Sequence, residues 1–95
     1  MRDKDILYAL GKSHALAILE TLAQESRRFT ELKECCRSNR TRSARLKELE
    51  ERKLIKTVPK MLGRRAYTFY EITPVGKKAL DICKSLLQLR EDSMQ

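Results

Sequence analysis

Apolar residues recur along this chain with two different periods, and the architecture changes where the period does. Ile6, Leu7 and Leu10 make a short helical stretch that ends near Gly11. Ala15, Leu16, Ile18, Leu19, Leu22 and Ala23 follow at helical spacing, with Ser13 as the expected N-cap. Gly11 either separates two helices or sits inside one at a cost of about 1 kcal/mol. Arg27-Arg28-Phe29 reads as a connector or a brief strand. Thr30 heads the run T-E-L-K and is expected to cap a short helix reaching about Cys36. Ser38 or Asn39 caps the next helix, which continues to about Arg52. Leu46, Leu49 and, past its end, Leu54 anchor that helix to the core.

Beyond Leu54 the residues become β-formers. Ile55, Thr57, Val58, Ala66, Tyr67, Thr68, Phe69, Tyr70 and Ile72 are divided by Met61-Leu62-Gly63-Arg64-Arg65, the pattern of a two-stranded hairpin with a basic tip. Thr73-Pro74 supplies a cap and a first-turn proline for a last helix, with apolar residues at 75, 79, 80, 82, 83, 86, 87 and 89. The order predicts one mainly α domain with a small β-hairpin, an α+β winged helix-turn-helix over residues 1–95. Its helix-turn-helix covers about 30–52, its wing about 54–72 and its C-terminal helix about 73–91.

Charge sharpens this picture because of where it sits. The chain carries a formal net charge of +8. Residues 37–65 hold eleven Lys or Arg against three Glu, and the remainder is neutral. A solvated surface usually mixes its signs, so a basic excess confined to one segment points to a polyanionic partner, nucleic acid first. No stretch approaches the ~20 apolar residues of a membrane span. Arg2-Asp3-Lys4-Asp5 interrupts any secretory signal, and a cytoplasmic location is expected with no membrane partner.

Five stretches resemble the HxlR-like and ArsR-like winged-helix transcription regulators: GKSHALAILETL at 11–22, RRFTEL at 27–32, RLKELEERKLI at 45–55, the wing, and YEITPVGKKAL at 70–80. RRFTEL and YEITPVGKKAL favour the HxlR-like branch. The resemblance implies a third core helix in the major groove, a wing reaching phosphates or the minor groove, and a homodimer built by the terminal helices. It also implies a repressor more often than an activator. The chain departs from the family at Asp5–Leu10, where the cysteine-proline pair of some relatives is missing, and at Ser13, where tryptophan is common. It departs again at Arg42, a position normally apolar.

On a helical wheel of residues 39–52, Leu46 and Leu49 mark the core face, and Arg37, Arg40, Ala44, Lys47 and Glu51 lie opposite. Thr41 and Ser43 occupy the shoulders, and Asn39 stands at the start. Arginine bonds guanine O6 and N7 bidentately, threonine and serine reach bases or phosphates, and alanine touches a thymine methyl. Arg37, Asn39, Arg40, Thr41, Arg42, Ser43, Ala44 and Lys47 are therefore the candidate DNA-binding residues of the helix. Arg42 falls on the core side of the wheel. It either runs its stem across the core edge or stands in the preceding loop facing a phosphate. Lys56, Lys60, Arg64 and Arg65 are the candidates of the wing, the last two after a glycine suited to a tight turn.

The last helix has a wider apolar stripe than one small core requires. Ile6, Leu7, Leu10, Ala79, Ile82, Cys83, Leu86, Leu87 and Leu89 are expected to form a two-fold homodimer interface. Two recognition helices would then read an inverted repeat in double-stranded DNA about 34 Å apart. The three cysteines lack metal spacing, and neighbours such as Cys35 and Cys36 do not favour a disulfide. No metal, catalytic residue or cofactor is called for, and one histidine without a phosphate loop or triad argues against an enzyme. The other reading is a winged-helix module that binds protein or RNA within a larger assembly. An effector molecule stays unnamed.

Overall fold

The computed structural model describes residues 2–93, with side chains placed from 6 to 89. Helix α1, Arg2–Leu10, and helix α2, Ala15–Gln24, are separate elements. Gly11 closes α1 by donating to the Leu7 carbonyl at 3.0 Å, and His14 follows in the left-handed conformation with φ 68°. His14, without a side-chain cap bond, occupies the N-cap position expected for Ser13. The Lys12 carbonyl takes the first α2 amide at 3.3 Å, so no hydroxyl is needed there.

Arg27–Arg28 forms the short strand β1, and Phe29–Glu34 is a 3₁₀ helix. Thr30 is not its cap. The segment's N-cap position lies two residues earlier, at Arg28, whose amide donates to Glu31 Oε1 at 2.8 Å. Its only fully inward residue is Leu32, whose carbonyl accepts from Cys35 at 3.0 Å and Cys36 at 3.2 Å. Six residues held by buried Leu32 and half-buried Phe29 sustain a tight turn rather than a longer α-helix.

Helix α3, Asn39–Glu51, starts under the Ser38 hydroxyl, which accepts from the Thr41 amide at 3.1 Å. At its other end Lys53 takes φ 62°, its amide reaching the Glu50 carbonyl and that of Leu54 reaching Leu49. This is a Schellman motif with lysine in the place usually filled by glycine, closed by buried Leu49 and Leu54.

Strands β2, Ile55–Leu62, and β3, Arg65–Ile72, pair antiparallel from Ile55↔Ile72 to Leu62↔Arg65, and β1 joins the other side of β3. The strands run further than the sequence suggests. Met61, Leu62 and Arg65 are in the ladder, and only Gly63-Arg64 turns, with Gly63 at φ 67°. Pro59 is tolerated because β2 is an edge strand. Helix α4, Pro74–Ser93, is capped by the Thr73 hydroxyl, which accepts from the Gly76 amide at 3.0 Å. The same hydroxyl donates to the Lys53 and Leu54 carbonyls, tying α4 to the end of α3.

Ile18, Leu19, Leu32, Leu46, Leu49, Leu54, Ile55 and Leu80 fill one core between α2, α3, the base of the sheet and α4. The fold is a winged helix. No helix among the described residues is long and apolar enough to cross a membrane.

Candidate nucleic-acid interface

Two stripes divide α3. Arg42, Leu46 and Leu49 are buried, while Arg40, Ser43, Ala44 and Lys47 are exposed on the other side, with Arg37 and Asn39 exposed just before and at the start. Thr41 is half-buried beside the Ser38 cap. The outward stripe follows from the sequence spacing, and capping by Ser38 holds its first turn.

Arg42 is a correction to the sequence reading. It is 1% exposed, and its guanidinium donates from Nε to the Cys36 carbonyl at 2.9 Å and from Nη2 to the Arg37 carbonyl at 3.1 Å. A longer contact runs from Nη1 to the Phe29 carbonyl at 3.5 Å, and the group stacks 4.5 Å from the Phe29 ring centre. It neither reaches water nor faces a phosphate. The reason is geometric: α3 places residue 42 on the Leu46–Leu49 stripe, and the turn before α3 leaves carbonyls there that a planar fork of donors satisfies. This side chain fixes the angle between the 3₁₀ segment and α3.

Arg45 was not among the sequence candidates and has a related part. Its Nε donates to the Ser13 carbonyl at 3.0 Å, and its Nη1 pairs with Glu48 at 2.8 Å. It thereby locks α3 against the turn between α1 and α2. The i,i+3 spacing of Arg45 and Glu48 was the only sequence signal for it. Lys60 is also spent internally. It donates to Ser26 Oγ at 2.7 Å, pairs with Glu71 at 3.4 Å and lies over Phe69. Strand alternation puts Lys60 on the opposite sheet face from Thr57, which meets Glu50 of α3 at 3.5 Å. These internal contacts withdraw Lys60 from the candidate set, whereas Lys56, on the same face, makes none of them. Arg27 and Arg28 pair with Glu25 and Glu31 beside β1.

After these subtractions, Arg37, Arg40, Lys47, Lys53, Lys56, Arg64 and Arg65 are exposed and form no ion pair among the described residues. The pairing of Lys47 with Glu51 that helical spacing permits is not formed. Arg64 and Arg65 stand at the end of a ladder whose base, Ile55 and Ile72, packs on the core, roughly 23 Å away at ordinary strand rise.

A second surface lies between α1 and α4. Ile6, Leu7, Leu10, Ala79, Ile82, Cys83 and Leu86 line an apolar groove of about 270 Å³. Leu7, Ile82, Leu86, Leu87 and Leu89 are well exposed. Leu10 is instead part of the core, because the end of α1 turns it onto α2. It lines the groove floor and offers little area to a partner. Burial pushes the Cys83 thiol up from its usual value, favouring the protonated form. Among the described residues no cluster of His, Cys, Asp or Glu has metal-site geometry.

Comparison with known proteins adds the following. The model of the HxlR-like helix-turn-helix family matches residues 9–95. No curated protein sequence matches the chain. Among solved structures, a protein described as a MarR-family transcriptional regulator from Enterococcus faecalis V583 superposes with TM-score 0.83 at 24% identity, covering 95% of this chain and 83% of that one. A transcriptional regulator homologue from Pyrococcus horikoshii OT3 gives TM-score 0.79 at 22% identity, covering 99% and 97%. Diamide-treated YodB from B. subtilis gives TM-score 0.78 at 22% identity, covering 90% and 85%. These likenesses bear on the fold.

Proposed function

Because the chain belongs to the HxlR-like helix-turn-helix family, we propose that it is a homodimeric repressor that reads an inverted repeat in double-stranded DNA. Membership makes it a DNA-binding transcriptional regulator. The observation that carries the finer reading is the separation of charge on α3 and the wing. Among the cations that fold-internal contacts do not use, Arg40 and Lys47 lie on the outward stripe of α3, Arg37 just before it, and Arg64 and Arg65 at the wing tip, with Lys53 and Lys56 between α3 and the base of the wing. Arg40 and Lys47, one above the other on that stripe, suit base edges and phosphates in a major groove. Arg37 stands at the helix start, where the free amides also favour a phosphate. Arg64 and Arg65 suit the negative potential of a minor groove.

The α1–α4 surface supports the dimer. Leu7, Ile82, Leu86, Leu87 and Leu89 are each half or more exposed around an apolar α1–α4 groove, the kind of surface that marks an interaction site. A two-fold axis through it gives each protomer the same covered patch and presents two recognition helices to one face of a duplex. Repression, which regulators of the resembled family exert more often than activation, would follow from occlusion of a promoter by the bound dimer.

Selection of bound duplexes from a random pool tests this. Enrichment of an inverted repeat with half-sites about one helical turn apart is expected. Arg40→Ala should then weaken the selected duplex by ~1–3 kcal/mol and relax the choice at one base pair. Equal weakening on all sequences would reassign Arg40 to a phosphate, and failure to enrich any repeat would remove the dimeric reading.

A further inference from the structure

We propose that the wing tip is an apolar wedge for the minor groove, with Met61 and Leu62 as its working surface. The inference rests on the DNA-binding reading above and deepens it. Met61 is 64% exposed and Leu62 is 50% exposed, although both are regular members of the β2–β3 ladder. The other large exposed apolar side chains of the described residues belong to α1 and α4, on a different part of the molecule. Strand alternation sends Met61 and Leu62 to opposite faces, opposite Ala66 and Arg65 respectively. The hairpin therefore ends in a thin blade, apolar on both sides, with unpaired Arg64 and Arg65 at its edge.

That combination selects one occupant. Cationic tips repel one another, which disfavours docking against a second copy of the wing. A minor groove offers what both parts of the blade need: a floor of negative potential for the arginines and apolar sugar walls for the side chains. The groove of ordinary duplex is only ~6 Å wide, so a blade carrying methionine and leucine must spread it, and spreading bends the duplex. Flexible pyrimidine–purine steps yield most readily, so the wedge would select sequence at positions outside those α3 touches. Arg64 and Arg65 would supply the salt-dependent part of wing binding, and Met61 and Leu62 the salt-insensitive part.

The test compares the wild-type chain with M61S/L62S and R64A/R65A on a duplex chosen from the random pool. Affinity is followed from 50 to 200 mM salt, and bending by energy transfer between end-labelled strands. Circular dichroism melts check that the exposed-site variants fold as the wild type does. M61S/L62S should lose about tenfold in affinity and most of the bend while keeping the wild-type salt slope. R64A/R65A should flatten the slope by about two phosphate contacts. A bend or an affinity in M61S/L62S equal to wild type overturns the wedge, as does comparable binding of the wild-type tip to anionic vesicles in competition with the duplex. A wild type that prefers no duplex over scrambled DNA sinks the regulator reading, and the wedge with it. A wild type that prefers its selected duplex, with M61S/L62S binding and bending it equally, overturns the wedge alone.

Discussion

Arg42 is where a charge in a buried position can be weighed against its alternatives. Truncating it as Arg42→Ala removes two well-formed bonds, to the Cys36 and Arg37 carbonyls, and the weaker contact to Phe29. Hydrogen bonds from a charged donor contribute ~1.5–3 kcal/mol each. Holding a guanidinium out of water costs several kcal/mol, so the charge and its bonds nearly cancel. What remains is the volume left between Phe29 and the turn, and large-to-small changes in a core cost ~2–5 kcal/mol. Arg42→Ala should therefore destabilise by ~3–4 kcal/mol. Arg42→Met keeps most of the volume and should cost ~1–2 kcal/mol, the residue being two carbonyls without donors. Arg42→Lys keeps the charge but not the planar fork, and should be no better than methionine. Urea unfolding at pH 7 with an unchanged m-value measures the series. An alanine variant within 1 kcal/mol of wild type refutes the packing argument. Lysine tolerated better than methionine would mean that the positive charge, rather than the fork, is what the site selects.

Three further changes probe the frame that carries α3. Gly76→Ala should cost ~3 kcal/mol or more by calorimetry, because a Cβ there would lie 2.1 Å from the Leu54 carbonyl oxygen, a backbone atom already held by Thr73. A folded variant with unchanged melting temperature would contradict that. Lys53→Gly should stabilise by ~0.5–1 kcal/mol in the same assay, since Lys53 sits at φ 62° as the C′ residue of α3; a loss of stability would show that the lysine makes up its strain elsewhere. Burial first, and the Glu50 carboxylate second, raise the Tyr70 phenol above its usual value. Above pH ~10 the unfolded chain then loses that proton before the folded one, so stability falls as pH rises through this range. Tyr70→Phe should flatten the alkaline limb of urea midpoints against pH, and an identical limb would dismiss the linkage.

Much of this fold was readable because it rests on local rules. The Ser38 and Thr73 caps, the glycine turn of the wing and the Leu46–Leu49 stripe each depend on residues within a few positions of one another. The readings that failed depend on what the chain meets far from itself. Ser13 looked like a cap, yet its carbonyl serves Arg45, 32 residues on. Thr30 is the local exception: the N-cap position falls two residues earlier, at Arg28, whose amide donates to the Glu31 carboxylate. Lys60 looked free until Ser26, 34 residues earlier, and Glu71 across the hairpin claimed it. Gly76 carries no turn signal at all, because its need arises from a carbonyl at Leu54 that only the folded molecule brings near.

The same division explains why the basic segment could be located by composition but not sorted by it. A run of lysines and arginines states how much charge is present, whereas binding depends on which charges the fold has left unclaimed. Arg42 and Arg45 hold α3 in place, the first against the turn before it and the second against the turn between α1 and α2. Because both are used up, the helix they brace can offer Arg40 and Lys47 on a rigid support. This has a consequence for measured salt dependence. Each phosphate contact adds ~0.9 to the slope of log affinity against log salt. Removing Arg42 should lower affinity by loosening α3 yet leave that slope nearly unchanged, whereas removing Arg37 should lower both. Equal effects on the slope would mean that the buried and the exposed arginine act on the duplex in the same way, and the assignment of Arg42 as a positioning residue would fail.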